Sequence, residues 1–206
     1  MVEYNEQFWN NYNKHIENNP LRKNDYLIKD GYISDNYKLS KTKVLFILKE
    51  SNESKKGEKD SNSVYEWFES HYNGKKTDKM ITKMSKINKF INNYPSYDFK
   101  SINVSNKEAY DFSFINISKR GNGEKNCSTD LNKVLELDGE FIARQIKFIN
   151  PDIIICGVKS VETKLNFLLT DKKIFDHTKI IYTNHFSIVP YKDISDKIIQ
   201  ILSSAN

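Results

Sequence analysis

The segment KVLFILKE, residues 43–50, is the strongest indicator of fold in this chain of 206 residues. Its five apolar residues, 44–48, are bounded on both sides by charged ones. A short run of β-branched, aliphatic and aromatic residues with polar flanks is typical of a strand buried on both faces. Such strands belong to parallel sheets that are covered by helices on both sides.

Three more segments have the same character. DFSFINISKRG predicts a strand near residues 112–117, NPDIIICG a turn, a strand and a glycine exit, and KIIYTNHFS a strand near 180–183. Helical periodicity is found at residues 4–17, 77–91, 135–149 and 193–202. The alternation predicts an α/β fold, a three-layer αβα architecture with a central, mainly parallel sheet of four strands.

Composition places the chain among compact proteins. Hydrophobic residues make up 38%, aromatic residues 13% and charged residues 29%. The length of 206 residues predicts one domain over residues 1–206. No apolar run approaches the length of a membrane span, and the first residues lack a signal peptide's apolar core. Cys127 and Cys156 form no metal-binding pattern. We therefore expect a cytoplasmic protein with no metal, no cofactor and no membrane partner.

The net charge of +5 permits an anionic partner. Nucleic acid is one such partner, and ordinary lysine-rich solubility explains the same charge. Charge alone does not decide between them.

Polar side chains follow the predicted strands at the edge where parallel sheets bind ligands. Glu50 follows the first strand, Asn116 lies near the end of the second with Lys119 and Arg120 after it, and His185 follows the last. A carboxylate, an amide, two cations and an imidazole are groups that can polarise a small heteroaromatic ligand beside a phosphate.

Each of these residues also has a structural explanation. Glu50 could cap the segment after its strand, and Asn116 could be a satisfied core or edge amide. Lys119 and Arg120 could form a solvated loop pair, and His185 could be a surface histidine. No single residue decides between the explanations.

The order of the segments resembles the uracil-DNA glycosylase superfamily, in particular its compact bacterial and archaeal branch. KESNE at 49–53 is similar to that branch's G-E-A-P-G motif, INISKRG at 115–121 to T-N-V-V-K-C-R-P, and NHFS at 184–187 to H-P-S. The resemblance spans residues 43–187 and implies a single domain with an N-terminal helical extension, residues 1–42, outside it. Lys49 and Asn52 replace the glycine and proline of the first motif, and Phe186 replaces the proline of the last. Two cysteines cannot supply the four ligands of that branch's iron–sulfur cluster.

The resemblance implies hydrolysis of the N-glycosidic bond of a flipped-out base, uracil or a modified pyrimidine, in DNA. His185 would donate to the leaving base, Glu50 would orient water or stabilise the sugar cation, and Asn116 would read the pyrimidine edge. The resemblance also implies that the base is bound by Trp67, Ser51 and Asn52. It implies that phosphate is bound by Lys49, Lys119, Arg120 and Ser187.

Two other functions stay open. The altered first motif favours a binding module that has kept the fold, lost catalysis and holds a nucleobase, a nucleotide or nucleic acid. A different αβα enzyme, such as a nucleotide hydrolase, is the third hypothesis. No G-x-x-x-x-G-K-[ST] or G-x-G-x-x-G segment supports it.

Overall fold

The computed structural model describes most of the chain. It covers residues 6–18, 26–31, 33–50, 79–96, 98–104, 108, 111–121, 130–172, 177–186 and 189–203. The six helices within these ranges are α1 (Glu6–Glu17), α2 (Asp35–Leu39), α3 (Lys79–Asn93), α4 (Leu131–Ile149), α5 (Glu162–Asp171) and α6 (Tyr191–Ser203). The strands are β1 (Tyr26–Leu27), β2 (Val44–Glu50), β3 (Ser113–Ser118), β4 (Arg120–Gly121), β5 (Ile153–Cys156) and β6 (Lys179–Tyr182). Short 3₁₀ turns lie at Phe99–Ser101 and Lys159–Val161.

The main sheet has four strands in the order β3-β2-β5-β6, and every neighbouring pair is parallel. This confirms the predicted fold class. From β2 the chain moves outward to β3 and then returns across β2 to β5. The reversal places a crossover point at the carboxyl ends of β2 and β5, where open α/β sheets bind their ligands.

Helices cover both faces of the sheet, as the continuous apolar strands require. One face of the sheet, with Phe46 and Ile155, packs against α3 and α6. The opposite face, with Ile47 and Ile154, packs against α4 and α5. Alternate residues of each strand thus enter two separate cores.

Helix α4 begins four residues before its predicted start. Asp130 caps it, because its carboxylate accepts hydrogen bonds from the backbone N–H groups of Asn132 (3.0 Å) and Lys133 (3.3 Å). The helix ends at Asn150, which adopts the left-handed conformation (φ 50°) common at helix ends.

The N-terminal segment is more regular than the sequence indicates. Strand β1 pairs antiparallel with β4, and the chain then follows the outer edge of β3. The N–H of Ile28 donates to the carbonyl of Lys119 (2.8 Å), and that of Gly31 to the carbonyl of Phe114 (3.0 Å). These bonds protect an edge strand that would otherwise be open to pairing with other chains.

Candidate functional site

The candidate site lies at the carboxyl edge of the sheet, and Glu50 and Asn116 are close in strand register there. Leu48 lies opposite Asn116, and Glu50 lies opposite Ser118. Of Glu50, the structure describes the backbone. The register therefore places residues 49–50 and residues 116–118 at neighbouring strand ends.

Asn116 is a buried residue, with 3% of its surface exposed. Its backbone N–H donates to Asp30 Oδ2 (2.7 Å), and its carbonyl accepts a hydrogen bond from Lys119 Nζ (2.7 Å). Two polar side chains thus hold the backbone at the end of β3.

His185 follows β6 on a loop that a neighbouring phenylalanine anchors. Phe186 is fully buried, and its ring packs edge-to-face against Phe46 at 5.4 Å between centroids. It lies so close to Gly157 that a Cβ there would come within 2.6 Å of the ring. Phe186 therefore fixes this loop by packing, and the exposed His185 is held beside the sheet edge.

The imidazole of His185 lies in a positively charged environment. Partial loss of hydration, and then the charges of Lys49 and Lys83, lower the pKa of His185 below its usual value of 6.5. The neutral imidazole, which still carries one N–H donor, is thus favoured near pH 7. Lys49 lies at the end of β2, and β5 separates that strand from β6, which leads to His185.

Lys83 is a residue of this site that the motif comparison missed. It lies near the start of α3 and is 7% exposed, and its ammonium donates to the carbonyl of Val189. The same ammonium lies 4.8 Å from the ring centroid of Tyr191, and that of Lys86 lies 5.9 Å away. Within α3, a lysine between the core residues Ile81 and Met84 is the signal that could have identified it.

Lys119 has a different setting from the expected exposed loop. It is 2% exposed and forms an ion pair with Asp30 (2.7 Å). Gln145 Nε2 also donates to Asp30 Oδ1 (2.8 Å). Burial lowers the pKa of Lys119, and Asp30 opposes that shift. This corrects the interpretation of Lys119 as a solvated loop lysine, because its ammonium is used inside the protein.

Several predicted site residues lie outside the described part of the chain. Ser51, Asn52, Trp67 and Ser187 belong to this group. Arg120 is described by its backbone in β4, where it pairs with Leu27. Their predicted contacts with base and phosphate stay predictions.

Other chemistry has little support at this edge. Burial raises the pKa of the Cys156 thiol to about 12, so it is not a nucleophile at neutral pH. Among the described residues, no group of three or more His, Cys, Asp or Glu side chains is placed to hold a metal ion.

Within the same ranges, no helix has the length and apolar character of a membrane span.

No family model matches the chain, and no curated protein and no solved structure is significantly similar to it. What the structure establishes is the α/β fold with its parallel sheet, and the functional assignment depends on the site itself.

Proposed function

We propose that the carboxyl edge of the sheet handles a nucleobase of DNA, and that the protein is a base-excising N-glycosylase of the uracil-DNA glycosylase type. The observation that carries this proposal is the strand register, which places the end of β2, with Lys49 and Glu50, beside the end of β3, with Asn116, at the edge from which β6 leads to His185. It supports a shared site for the first and last motifs, 135 residues apart between Glu50 and His185 (185 − 50).

The chemistry follows from the charges at this edge. A base can be cut from the sugar only after it leaves the stack, and the bond then breaks through an oxocarbenium-like sugar. Negative charge develops on the leaving base, where a neutral His185 would donate its N–H to a carbonyl oxygen. The charges of Lys49 and Lys83 would stabilise the same anion.

Glu50 and Asn116 would complete the reaction site. A carboxylate at the end of β2 would orient the attacking water or stabilise the cationic sugar. The amide of Asn116 offers both a donor and an acceptor, which a pyrimidine edge requires. Trp67 would hold the flipped base by stacking, as the resemblance implies.

A single-turnover excision assay tests this function. Uracil-containing single-stranded and double-stranded oligonucleotides are incubated with pure protein at low salt, and cleavage at the abasic site is followed. His185→Ala should reduce the rate about 10²–10³-fold, the value of one transition-state donor, and Glu50→Ala should abolish excision without loss of folding.

His177→Ala is the matched control. His177 is exposed and contacts Asn150 Oδ1 (2.9 Å), at the amino-terminal edge of the sheet. Its replacement should leave the rate unchanged. If the wild-type protein leaves uracil in place on both substrates, the uracil form of the proposal is wrong.

The second candidate is a non-catalytic binding module. The charges of Lys49 and Lys83, which lower the pKa of His185, favour it, because a positively charged environment suits an anionic ligand whether or not a bond breaks. A nucleotide that binds the native state raises its melting temperature by mass action. Stabilisation by nucleotides together with absence of excision would select this candidate.

A further inference from the structure

Asn116 and Ser118 are buried polar residues on the same face of β3. Side chains alternate along a strand, and Ile115 and Ile117 enter the core that α4 and α5 cover. Asn116 and Ser118 are therefore on the opposite face, towards α3 and α6, about 6.6 Å apart along the strand. Each has 3% of its surface exposed. Strand geometry alone thus places the two residues side by side.

The side chains of this pair differ from most buried polar groups. In the ranges that the structure describes, neither the Asn116 amide nor the Ser118 hydroxyl has a hydrogen-bond partner. Buried polar side chains are generally hydrogen-bonded, because burial without a partner costs free energy. A ligand that supplies these bonds would offset that cost.

The backbone around the pair is held in place by other groups. The N–H of Asn116 donates to Asp30 Oδ2 (2.7 Å), and the carbonyl of Asn116 accepts from the Lys119 ammonium (2.7 Å). One residue beyond Ser118, the carbonyl of Lys119 accepts a hydrogen bond from the N–H of Ile28 (2.8 Å). The backbone is thus bound on both sides of Ser118, which preorganises the two side chains for a ligand.

The neighbouring strand adds an apolar surface to this face. Leu48 lies opposite Asn116 in β2, and its side chain belongs to the core on the side of α3 and α6. Ser118 is the last residue of β3, so Asn116 is the deeper member of the pair. An apolar side chain beside two hydrogen-bonding groups suits a flat heterocycle with a polar edge.

We propose that Asn116 and Ser118 together bind the acceptor–donor–acceptor edge of a pyrimidine-2,4-dione such as uracil. The Asn116 amide accepts from the ring N–H and donates to one carbonyl, and the Ser118 hydroxyl donates to the other carbonyl. A carbonyl oxygen has two lone pairs, so the bond from Ser118 is compatible with one from His185. The inference rests on the proposed function for the identity of the base, whereas binding itself requires no bond cleavage.

Calorimetric titration with uracil tests the pair. Ser118→Ala should weaken uracil binding about tenfold, because one carbonyl of the base loses its donor. Asn116→Ala removes two hydrogen bonds and should weaken binding about a hundredfold. Equal affinities of the wild-type protein and Ser118→Ala would overturn the inference.

Two analogues of uracil locate the bond from Ser118. Sulfur is a weak hydrogen-bond acceptor, so 2-thiouracil and 4-thiouracil each weaken one of the two carbonyl positions. With the analogue whose sulfur faces Ser118, the wild-type protein and Ser118→Ala should bind about equally. With the other analogue, the tenfold difference should persist. A tenfold loss with both analogues would show that Ser118 donates to neither position and would overturn the inference.

Ser113 provides the matched control. It lies at the opposite end of β3 and on the opposite face, it is 1% exposed, and among the described groups its hydroxyl also has no partner. Ser113→Ala should leave uracil affinity unchanged. Without ligand, the urea midpoint of both serine variants should stay the same or rise, because each loses an unpartnered hydroxyl. A lower midpoint for Ser118→Ala alone would assign that hydroxyl a structural role and overturn the inference.

The outcomes separate this inference from the proposed function. Uracil binding that depends on Asn116 and Ser118, without excision, supports the pair and contradicts the glycosylase. Excision together with unchanged uracil affinity in Ser118→Ala overturns the pair and supports the glycosylase. A wild-type protein that binds neither uracil nor its two analogues also overturns the pair.

Discussion

Asp30 is the residue on which the end of β3 depends. Its carboxylate is buried and accepts hydrogen bonds from the Asn116 backbone, the Lys119 ammonium and the Gln145 amide. A buried carboxylate is tolerated only where such donors replace water. Asp30 therefore holds the backbone that carries Asn116, and we regard it as a positioning residue.

The losses from removing Asp30 and from removing Lys119 should not be additive. Lys119→Met should lower the free energy of unfolding by about 3–5 kcal/mol, because it leaves the Asp30 charge without its cation. The double variant Asp30→Asn, Lys119→Met should lose less than the sum of the single variants, with a coupling of about 0.5–3 kcal/mol. Urea denaturation of the four proteins measures this. Additive losses would show that the two charges do not depend on each other.

At the residue scale, the sequence predicts positions better than environments. Asn116 and His185 follow apolar runs that mark strand ends, so their place at the sheet edge could be predicted. The environment of Lys119 could not, since its partner Asp30 is 89 residues away in a segment without a clear pattern. The role of Lys83 was missed for the same reason, because its contacts are with Val189 and Tyr191.

At the scale of elements, the four core strands were predicted close to their observed bounds. Each is a continuous apolar run, which is the pattern that burial on both faces requires. The edge segment at residues 26–31 has no such pattern, because one side of it faces β3 and its bonds are made by the backbone. Local periodicity carries no information on such an arrangement.

Two glycines in different settings should respond to alanine to different extents. Gly31 has φ 79°, and a Cβ there would lie 2.5 Å from Gln145 Nε2, the amide that also holds Asp30. Gly31→Ala should therefore destabilise the protein by more than the ~1–2 kcal/mol of left-handed strain alone. Thermal and urea denaturation measure the loss.

Gly139 provides the contrast within α4. A Cβ at this position would meet the end of the Leu168 side chain at 3.3 Å, and that side chain can shift. Alanine also favours the helix by about 0.5–1 kcal/mol over glycine. Gly139→Ala should thus change stability by less than about 1 kcal/mol. Equal losses in the two variants would contradict the role given to the edge segment.

At the scale of the whole molecule, the N-terminal region is built into the core contacts. Helix α1 packs on α4, with the ring of Tyr12 4.9 Å from that of Phe141. The Tyr12 hydroxyl donates to the buried Asp138 (2.9 Å), and His15 Nε2 lies 3.3 Å from the same carboxylate. Gln145, also on α4, donates to Asp30, which pairs with Lys119 (2.7 Å). Contacts thus connect α1, α4 and the end of β3 in sequence.

This connection predicts that residues 1–42 unfold together with the sheet. Trp9, on α1, is buried with 4% of its surface exposed, so its fluorescence reports on that helix. A Trp67→Phe substitution in the background removes the other tryptophan. Fluorescence and far-UV ellipticity should give the same urea midpoint, because a single cooperative unit has one transition. An earlier fluorescence midpoint would mean that α1 leaves first and that the N-terminal region is a separate unit. Coincident midpoints would instead show that α1 unfolds in one cooperative transition with Asp30 and the end of β3 that Asp30 holds.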